Sequence, residues 1–400
     1  MDWLAVVVQG VVALLTLCGV GYGLLALWSA RAFALADADK AAQKGKQDAT
    51  PAVPPGVTIL KPVKGRDPSM YAGLMSHCLQ TYGGEFELLF GVSSLQDPAL
   101  QDIARLRVEY PTVSIRLVEC KQRLGANGKI SNLAQMLPQA RFEHIIVNDS
   151  DIRVSPRYLE HVMAGFHDPK VGLVTAPYRG TAGRTLWSRL EALGISTDFL
   201  PGVLAARRLE GSIRFGLGST LATTRSALAG IGGFEALVDE LADDYELGAR
   251  LCAAGYRVEL IQEIVETTVP SYTLREFCEH QLRWSRTVRD SRRWGYLGLA
   301  VTYVLPWSLA AMLASGFAVW SFALFSMALL TRVSVALTVG VGILRDGQVL
   351  RDIVWLPLRD CFGLFFWIWS YASDTVVWRG ERFRLRHGKM ESLSAQPAKQ

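Results

Sequence analysis

The sequence predicts an α/β domain that is held between membrane-spanning segments. Of the 400 residues, 50% are hydrophobic and 20% are charged, a composition too apolar for an ordinary soluble protein and too charged for one made only of membrane spans. Long charge-free segments lie towards both ends of the chain, whereas short apolar runs alternate with stretches of helical spacing in the middle. Strands that alternate with helices form a mostly parallel sheet with helices on both faces.

The N-terminal segment is long enough to cross a membrane. Residues 3–30 include no charged side chain, and at about 1.5 Å per residue such a helix spans a hydrocarbon core roughly 30 Å thick. The alternative is a cleaved signal peptide, because residues 34–36 (Ala-Leu-Ala) resemble a cleavage site. The length of the run and the acidic Asp2 in front of it favour a retained anchor. We therefore predict an anchor at residues 1–31 and a polar linker at 32–56.

A folded domain is predicted at residues 57–273, which is long enough for its own hydrophobic core. Helical spacing is clear at residues 97–109, where apolar side chains recur on one side. In a sheet of this kind ligands bind beyond the carboxyl ends of the strands, so polar residues at those ends are candidates for a site. The short apolar runs typical of buried strands are 57–60, 86–92, 113–118, 144–147 and 171–176.

The last part of the chain predicts an interfacial helix followed by membrane helices. Residues 274–294 mix arginines with Phe, Leu and Trp, which is typical of a helix in the membrane interface. Residues 295–377 have room for roughly two to four membrane helices, and a basic tail follows at 378–400. Basic residues thus lie beside the apolar segments at both ends.

The positive-inside rule places both basic flanks, and the domain between them, on the cytoplasmic side. The tail must then return to that side, so one apolar stretch is expected to be interfacial or re-entrant. The same residues account for the net charge of +5. This charge therefore indicates an anionic membrane surface as a partner, and no nucleic acid is expected.

Carboxylates follow the predicted strand at 144–147 directly. Asp149 and Asp151 are separated by one serine, and Mg²⁺ or Mn²⁺ takes hard oxygen ligands of this kind while keeping positions open for a diphosphate. Alternatively the segment is a loop or a helix cap, where Asp and Ser are also favoured. Its place after a buried strand favours a metal site at Asp149 and Asp151.

A second acidic pair, Asp243 and Asp244, opens a predicted helix. Carboxylates at a helix start can stabilise the helix dipole, or one of them can take the proton from an acceptor hydroxyl as general base. A nearby dication would keep such a base ionised, whereas burial would raise its pKa. The residues alone do not distinguish Asp243 from Asp244.

Cationic and aromatic side chains complete the candidate site. On the interfacial segment, Arg283 suits a pyrophosphate and Trp284 suits a sugar or a lipid chain, with Gln281 close by. Lipid anchoring alone also accounts for a basic helix of this kind. Lys61 follows the first strand, and Lys129 lies in a segment that precedes a helix. Each either places a cation near a uridine diphosphate or serves solubility.

These motifs resemble those of the ceramide glucosyltransferase family and its bacterial relatives, membrane enzymes of the GT-A fold with an inverting mechanism. The resemblance spans nearly the whole chain and implies a UDP-sugar donor, a divalent metal and a membrane lipid acceptor. It also implies that Asp97 helps hold the nucleotide, that Asp149 helps hold the metal and diphosphate, and that Asp244 is the base. The matching segments are 61–62, 97–99, 129–133, 149–154, 244–245, 283–284 and 378–386.

The chain departs from the family pattern at positions that concern the acceptor. His280 stands where the Q/R-x-x-R-W pattern has Gln or Arg. Ser93, Ser94 and Gln96 stand where eukaryotic members have acidic residues. Asp198 stands where those members have a histidine implicated in acceptor recognition. These substitutions are compatible with a bacterial branch that resembles the family and uses an N-acetylglucosamine donor to glycosylate hopanoids.

The predicted function is transfer of one sugar from UDP-glucose to ceramide or a similar sphingolipid, in a bacterial inner membrane with the catalytic domain in the cytoplasm. Transfer from UDP-N-acetylglucosamine to a hopanoid is the alternative. A processive polysaccharide synthase resembles this chain in its aspartates but needs more spans for a polymer channel. A receptor or scaffold that only binds a nucleotide-sugar would not need Asp149, Asp151, Asp244 and Arg283 together.

Overall fold

A computed structural model describes residues 3–44, 54–67, 69–378 and 380–393. Part of the predicted linker (45–53) and part of the predicted tail (379 and 394–400) lie outside the described residues. The strands are β1 (Val57–Val63), β2 (Phe86–Val92), β3 (Ser114–Glu119), β4 (His144–Val147), β5 (Val171–Thr175), β6 (Tyr178–Ala182), β7 (Leu221–Thr224), β8 (Arg257–Leu260), β9 (Val265–Val269), β10 (Thr375–Trp378), β11 (Glu381–Arg386) and β12 (Lys389–Ser392). The helices are α1 (Trp3–Lys44), α2 (Met70–Cys78), α3 (Ala99–Glu109), α4 (Gly128–Met136), α5 (Tyr158–Ala164), α6 (Leu186–Gly194), α7 (Leu200–Glu210), α8 (Arg225–Ala229), α9 (Asp243–Ala253), α10 (Leu274–Ser291), α11 (Arg293–Thr302), α12 (Val304–Ala314), α13 (Val319–Val335), α14 (Gln348–Asp352) and α15 (Leu356–Ser370).

The chain divides into two compact units, which we call the sheet unit and the helical unit. Residues 182–210 lie inside the predicted domain at 57–273 but group with the helical unit, because Leu190 packs with Phe277 and Phe366 there. The sheet unit comprises Gly45–Thr181, Gly211–Thr268 and Gly388–Gln400, and the helical unit comprises Met1–Lys44, Ala182–Glu210 and Val269–His387.

The sheet unit is built on a seven-stranded sheet in the order β3-β2-β1-β4-β7-β5-β8. The pairs β1 with β2, β1 with β4, β2 with β3, and β5 with β8 are parallel, whereas β7 runs antiparallel to both β4 and β5. The apolar side chains of β1, β2, β4 and β5 are buried, as expected for strands covered on both faces. The predicted mostly parallel α/β sheet is therefore confirmed.

All five predicted strands are present, with small differences at their ends. β1 continues three residues beyond the predicted end at 60, because Lys61 and Pro62 continue the pairing with β2. The predicted helix at 97–109 begins at Ala99, after Asp97 and Pro98. β7 was not predicted, since its sequence Leu-Ala-Thr-Thr is short and half polar.

Within the part of the chain that the structure describes, the helical unit holds three helices that are long and apolar enough to cross a membrane, Trp3–Ala36, Val319–Ile343 and Gln348–Ser370. Two further helices, α11 and α12, meet at a bend of 54° and have the composition of a broken span or a re-entrant loop. This count agrees with the expected N-terminal span and two to four C-terminal helices. The helix α1 runs on to Lys44, through part of the predicted linker at 32–56.

A buried ion network connects the helices of this unit. The guanidinium of Arg332 on α13 contacts the carboxylate of Asp360 on α15, with an Nη2 to Oδ1 distance of 2.9 Å. The same guanidinium donates a 2.8 Å hydrogen bond to the carbonyl oxygen of Thr197 and pairs with Asp198. Thr197 and Asp198 lie in the π-helical segment Ile195–Phe199.

Candidate active site

The polar residues of the sheet unit gather at one edge of its main sheet. Leu60 of β1 lies opposite Val147 of β4 in a parallel pair, so the segments that follow both strands emerge at the same edge. Leu221, the first residue of β7, lies opposite Val147 in an antiparallel pair. The segment that precedes β7 therefore reaches this edge as well.

Lys61 supports the loop that carries Asp149. Its side chain is fully buried, and its Nζ donates a 3.0 Å hydrogen bond to the backbone carbonyl oxygen of Asp149. Burial lowers the pKa of Lys61 to about 7, although the Asp151 and Asp149 carboxylates act in the opposite direction. Lys61 therefore holds the backbone of Asp149 through this hydrogen bond. A direct contact between Lys61 and a diphosphate stays a prediction.

Lys129 connects two acidic segments. Its Nζ lies 3.0 Å from Asp149 Oδ1 and 3.2 Å from Asp243 Oδ2. Burial disfavours the charged ammonium, but the Asp149 and Asp243 carboxylates outweigh this effect and raise the pKa of Lys129. One ammonium group thus holds the loop after β4 against the start of α9.

Local backbone structure brings Lys129 to this position. Asn127 caps α4, because its Oδ1 accepts a 3.0 Å hydrogen bond from the amide of Lys129. The other end of the same side chain donates a 2.8 Å hydrogen bond to the carbonyl oxygen of Glu240. A Cβ at Gly125 would lie 2.6 Å from the carbonyl oxygen of Val238, so only glycine permits this approach of the two loops.

Asp244 lies against the glycine-containing loop that leads into β7. Its carbonyl oxygen accepts a 3.0 Å hydrogen bond from the amide of Gly216. A Cβ added at Gly218 would lie 3.1 Å from Asp244 Oδ2, and one added at Gly248 would lie 2.5 Å from Phe215 Cα. Glycine at positions 218 and 248 therefore allows this loop to approach the carboxylate closely.

The two neighbouring aspartates have different surroundings. Asp243 Oδ2 faces Lys129, and Asp243 Oδ1 lies 3.5 Å from Asn127 Nδ2. Burial and the Asp243 charge raise the pKa of Asp244 to about 6, although Lys129 and the amide of Tyr245 lower it. A carboxylate with this pKa is mostly ionised at neutral pH and more basic than an exposed Asp, as a general base requires. The geometry therefore favours Asp244 over Asp243 for that role.

A buried polar network holds the end of β4 to the segment before β7. The side-chain amide of Asn148 donates to Ser219 O at 2.7 Å and to the Tyr158 hydroxyl at 2.8 Å. The Tyr158 and Thr220 hydroxyls are 3.1 Å apart, and His77 Nε2 lies 3.3 Å from Asn148 Oδ1. These contacts fix the positions of both segments that carry the site.

The carboxylate of Asp97 accepts hydrogen bonds from the backbone of two segments, the loop after β1 and the start of α3. Its Oδ1 accepts a 2.9 Å hydrogen bond from the amide of Ala99, the first residue of α3. Its Oδ2 accepts a 3.0 Å hydrogen bond from the amide of Gly65, in the loop after β1. Asp97 thus orders the loop after β1, and its contact with a nucleotide stays a prediction.

The predicted metal ligands differ in how open they are. The side chain of Asp149 is 45% exposed. Asp151 Oδ2 already accepts hydrogen bonds from Thr267 Oγ1 at 2.6 Å and from the Thr268 amide at 3.1 Å, and burial together with the Asp149 charge raises the pKa of Asp151. Among the described residues no three His, Cys, Asp or Glu side chains form a metal site. The carboxylate of Asp149 suits Mg²⁺ or Mn²⁺ if a diphosphate supplies further oxygens.

The remaining predicted site residues lie on α10 in the helical unit. His280 Nδ1 is 3.0 Å and Gln281 Nε2 is 3.4 Å from Glu191 Oε2, so one buried carboxylate binds both side chains. The Trp284 ring lies 5.9 Å from the Phe199 ring and 5.9 Å from the His280 ring. Arg283 follows on the same helix, which matches the helix expected at 274–294.

The structure therefore brings Lys129, Asp149 and Asp243 together within the sheet unit, with Asp244 as the next residue of the chain. Sequence reasoning missed the contributions of Asn127 and Gly218. Asn127 stands directly before Gly128 at the start of α4, which is a recognisable N-cap signal. The segment Gly-Leu-Gly at 216–218 is a weaker signal, because a glycine pair alone does not show what approaches it.

Comparison with known proteins provides independent information. The sequence profile of glycosyl transferase family 21 matches residues 11–391. Ceramide glucosyltransferase 3 of Caenorhabditis elegans is 24% identical over 349 residues, which cover 84% of this chain and 73% of the relative. Ceramide glucosyltransferase 1 of the same organism is also 24% identical, over 84% of this chain and 72% of that relative. Among solved structures, a mannosyltransferase from Pyrobaculum calidifontis in complex with GDP-Man and Mn²⁺ aligns with a TM-score of 0.53 and 18% identity, covering 91% of this chain and 97% of that chain.

Proposed function

The chain belongs to glycosyl transferase family 21 and is a membrane glycosyltransferase, and we propose that it transfers one glucose from UDP-glucose to a hydroxyl of ceramide or a similar sphingolipid. Both nematode relatives are named for glucose transfer to ceramide. The observation that carries the proposal is that Lys129 joins Asp149 to Asp243, the residue next to Asp244, at the carboxyl edge of the sheet. That edge is where sheets of this type bind their ligands.

The donor diphosphate would lie beside Asp149 and Lys129. In the free protein the Lys129 ammonium offsets part of the negative charge of the Asp149 and Asp243 carboxylates, which would repel a diphosphate. Asp149 would hold a divalent cation, for which Mg²⁺ and Mn²⁺ are both suitable. When bound, such a cation stabilises the negative charge of the departing UDP.

Asp244 would act as the general base. The acceptor oxygen forms a bond with the anomeric carbon while the bond from that carbon to the diphosphate oxygen breaks, and the hydroxyl proton passes to the Asp244 carboxylate. This single displacement inverts the configuration at the anomeric carbon. With a pKa near 6 the Asp244 carboxylate is ionised at neutral pH before the reaction, and it is basic enough to accept the hydroxyl proton as the bond forms.

The location of the reaction follows from the same features. The candidate spans of the helical unit associate the chain with a membrane. The basic residues beside the apolar segments favour the cytoplasmic side of a bacterial inner membrane for the sheet unit. UDP-glucose would then be taken from the cytoplasm and the lipid acceptor from the bilayer.

A matrix assay tests the proposal with purified full-length protein in detergent. UDP-glucose and UDP-N-acetylglucosamine are each offered with ceramide, a hydroxylated hopanoid or diacylglycerol, with Mg²⁺, with Mn²⁺ or with chelator. We expect metal-dependent transfer of glucose to ceramide. Transfer of N-acetylglucosamine to the hopanoid would replace the sphingolipid assignment with the hopanoid one.

The role of Asp244 is tested in the same assay with a matched pair of variants. Asp244→Asn removes the proton acceptor, whereas Glu246→Gln makes the same chemical change two residues further along α9. We expect product only from the Glu246→Gln variant and the unmodified chain. Equal product from Asp244→Asn would overturn the assignment of the base.

A further inference from the structure

A groove of about 490 Å³ lies in the helical unit between α1 and the π-helical segment Ala336–Ile343. Both walls belong to candidate membrane spans, Trp3–Ala36 and Val319–Ile343. The volume is typical of ligand sites, which occupy roughly 300–1,000 Å³. The lining residues are Leu27, Ala30, Arg31, Ala34, Thr338, Gly342 and Ile343.

Small residues create the space and apolar atoms dominate its surface. Ala30 and Ala34 on α1 and Gly342 on the π-helical segment are among the residues that line it. From Leu27 to Ala34 the groove extends about 10 Å along the helix axis, at about 1.5 Å per residue. An extended hydrocarbon chain fits such a shape, and a bilayer provides lipid chains at high concentration.

Two polar side chains interrupt this lining. Arg31 and Thr338 are both exposed, and they supply a guanidinium and a hydroxyl to the same groove. Guanidinium groups bind phosphate oxygens through paired N–H donors, and a hydroxyl can donate one further hydrogen bond. The polar part of a fitting ligand is therefore an anion with several acceptor oxygens.

The depth of Arg31 indicates that the anion belongs to a lipid headgroup. Arg31 is the first charged residue after the charge-free run at 3–30, which marks the end of the hydrocarbon region. At the neighbouring turns the guanidinium of Arg208 lies 3.6 Å from the Trp28 ring and that of Arg207 lies 5.5 Å from the Phe33 ring. Basic and aromatic residues collect in this way at the membrane–water interface.

We propose that this groove is a binding site for an anionic phospholipid, with one acyl chain between α1 and Ala336–Ile343 and the phosphate held by Arg31 and Thr338. None of the lining residues is among the residues assigned to the transferase reaction or predicted for its site. Basic pockets between membrane helices are known to bind anionic headgroups.

Native mass spectrometry of the full-length protein tests the proposal. The protein in detergent is titrated with phosphatidylglycerol and phosphatidylcholine of identical acyl chains, and the bound lipid is counted. Loss of one basic contact at the membrane surface corresponds to about fivefold in affinity. We expect the unmodified chain to bind one phosphatidylglycerol molecule more tightly than one phosphatidylcholine molecule. Arg31→Gln should lower the affinity for phosphatidylglycerol by about fivefold and have little effect on the affinity for phosphatidylcholine.

Two further variants separate the chain-binding part from the headgroup contact. Ala34→Phe fills the groove and should reduce binding of both lipids, whereas Gly21→Leu on the same helix adds a side chain where nothing lies within 4 Å and should leave both unchanged. Arg384→Gln, at an exposed position on β11, controls for loss of one positive charge. Equal affinity of the unmodified chain for the two lipids, or unchanged preference in Arg31→Gln, would overturn the proposal.

Discussion

Replacing Lys129 with Met tests whether one ammonium group holds the acidic residues of the site together. The substitution keeps the length of the side chain and removes its charge. Lys129 and Asp243 have side chains only 12% and 11% exposed, at an Nζ to Oδ2 distance of 3.2 Å. Asp243 would then be left as a buried carboxylate without its cation.

The expected loss of stability follows from these exposures. Breaking a buried ion pair by removing one partner costs about 3–5 kcal/mol. The contact with Asp149, which is 45% exposed, adds about 0–1 kcal/mol because water screens it. We therefore expect roughly 3 kcal/mol or more. For a domain of about 150–250 residues each kcal/mol lowers the unfolding midpoint by about 2–4 °C, which gives a decrease of roughly 6–12 °C.

Thermal unfolding of the purified protein in detergent without divalent metal measures this change. Lys121→Met is the matched control, because Lys121 pairs with Glu119 at 3.1 Å while its side chain is 74% exposed. We expect the control to shift the midpoint by less than about 2 °C. Equal midpoints for the two variants would refute the view that Lys129 neutralises a buried acidic cluster.

Three further predictions concern catalysis. Asp244→Asn should lower kcat by about 10²–10⁴-fold while UDP-glucose affinity, measured by calorimetry, stays within about twofold, and a proportional loss of affinity would contradict a role limited to proton transfer. The Asp244 carboxylate is ionised above its pKa and protonated below it, so kcat/KM should fall tenfold per pH unit below about 6. A bound dication that depresses this pKa would move the fall to a lower pH. A rate that rises on acidification would exclude this base. Gly218→Ala places a Cβ 3.1 Å from Asp244 Oδ2 and should lower kcat roughly tenfold, whereas Gly128→Ala, where nothing lies within 4 Å, should leave kcat unchanged.

Strands and membrane helices could be predicted because their signals are local. Buried strands such as β2 and β4 are mostly apolar runs, and the spans are long segments with few charges. The antiparallel β7 could not be predicted, since its short sequence takes its conformation from pairing with β4 and β5. Residues 182–210 joined the helical unit for a similar reason, because their packing partners lie far away in sequence.

The candidate site shows the same division between local and distant information. Asp149 could be proposed from its place after a strand, and the pair Asp243 and Asp244 from its place at a helix start, whereas the choice of Asp244 within that pair came from the family resemblance. The ion pair of Lys129 and Asp243 joins residues more than a hundred positions apart in the chain. No pattern in the sequence indicates that these two side chains meet. For Lys61 the sequence left a role near a diphosphate and a role in solubility open, and the structure buries its side chain against the backbone of Asp149.

The ion network around Arg332 has a consequence for how the chain enters its membrane. Arg332 on α13 is synthesised after Asp198 and before Asp360, its partner on α15. A lone arginine at the centre of an inserting helix costs about 2.5–3.5 kcal/mol, and until Asp360 has been translated the partly exposed Asp198 is the carboxylate of this network that offsets part of that cost. Helices α13 and α15 should therefore enter the lipid as a pair, and a chain truncated between them should leave α13 poorly inserted.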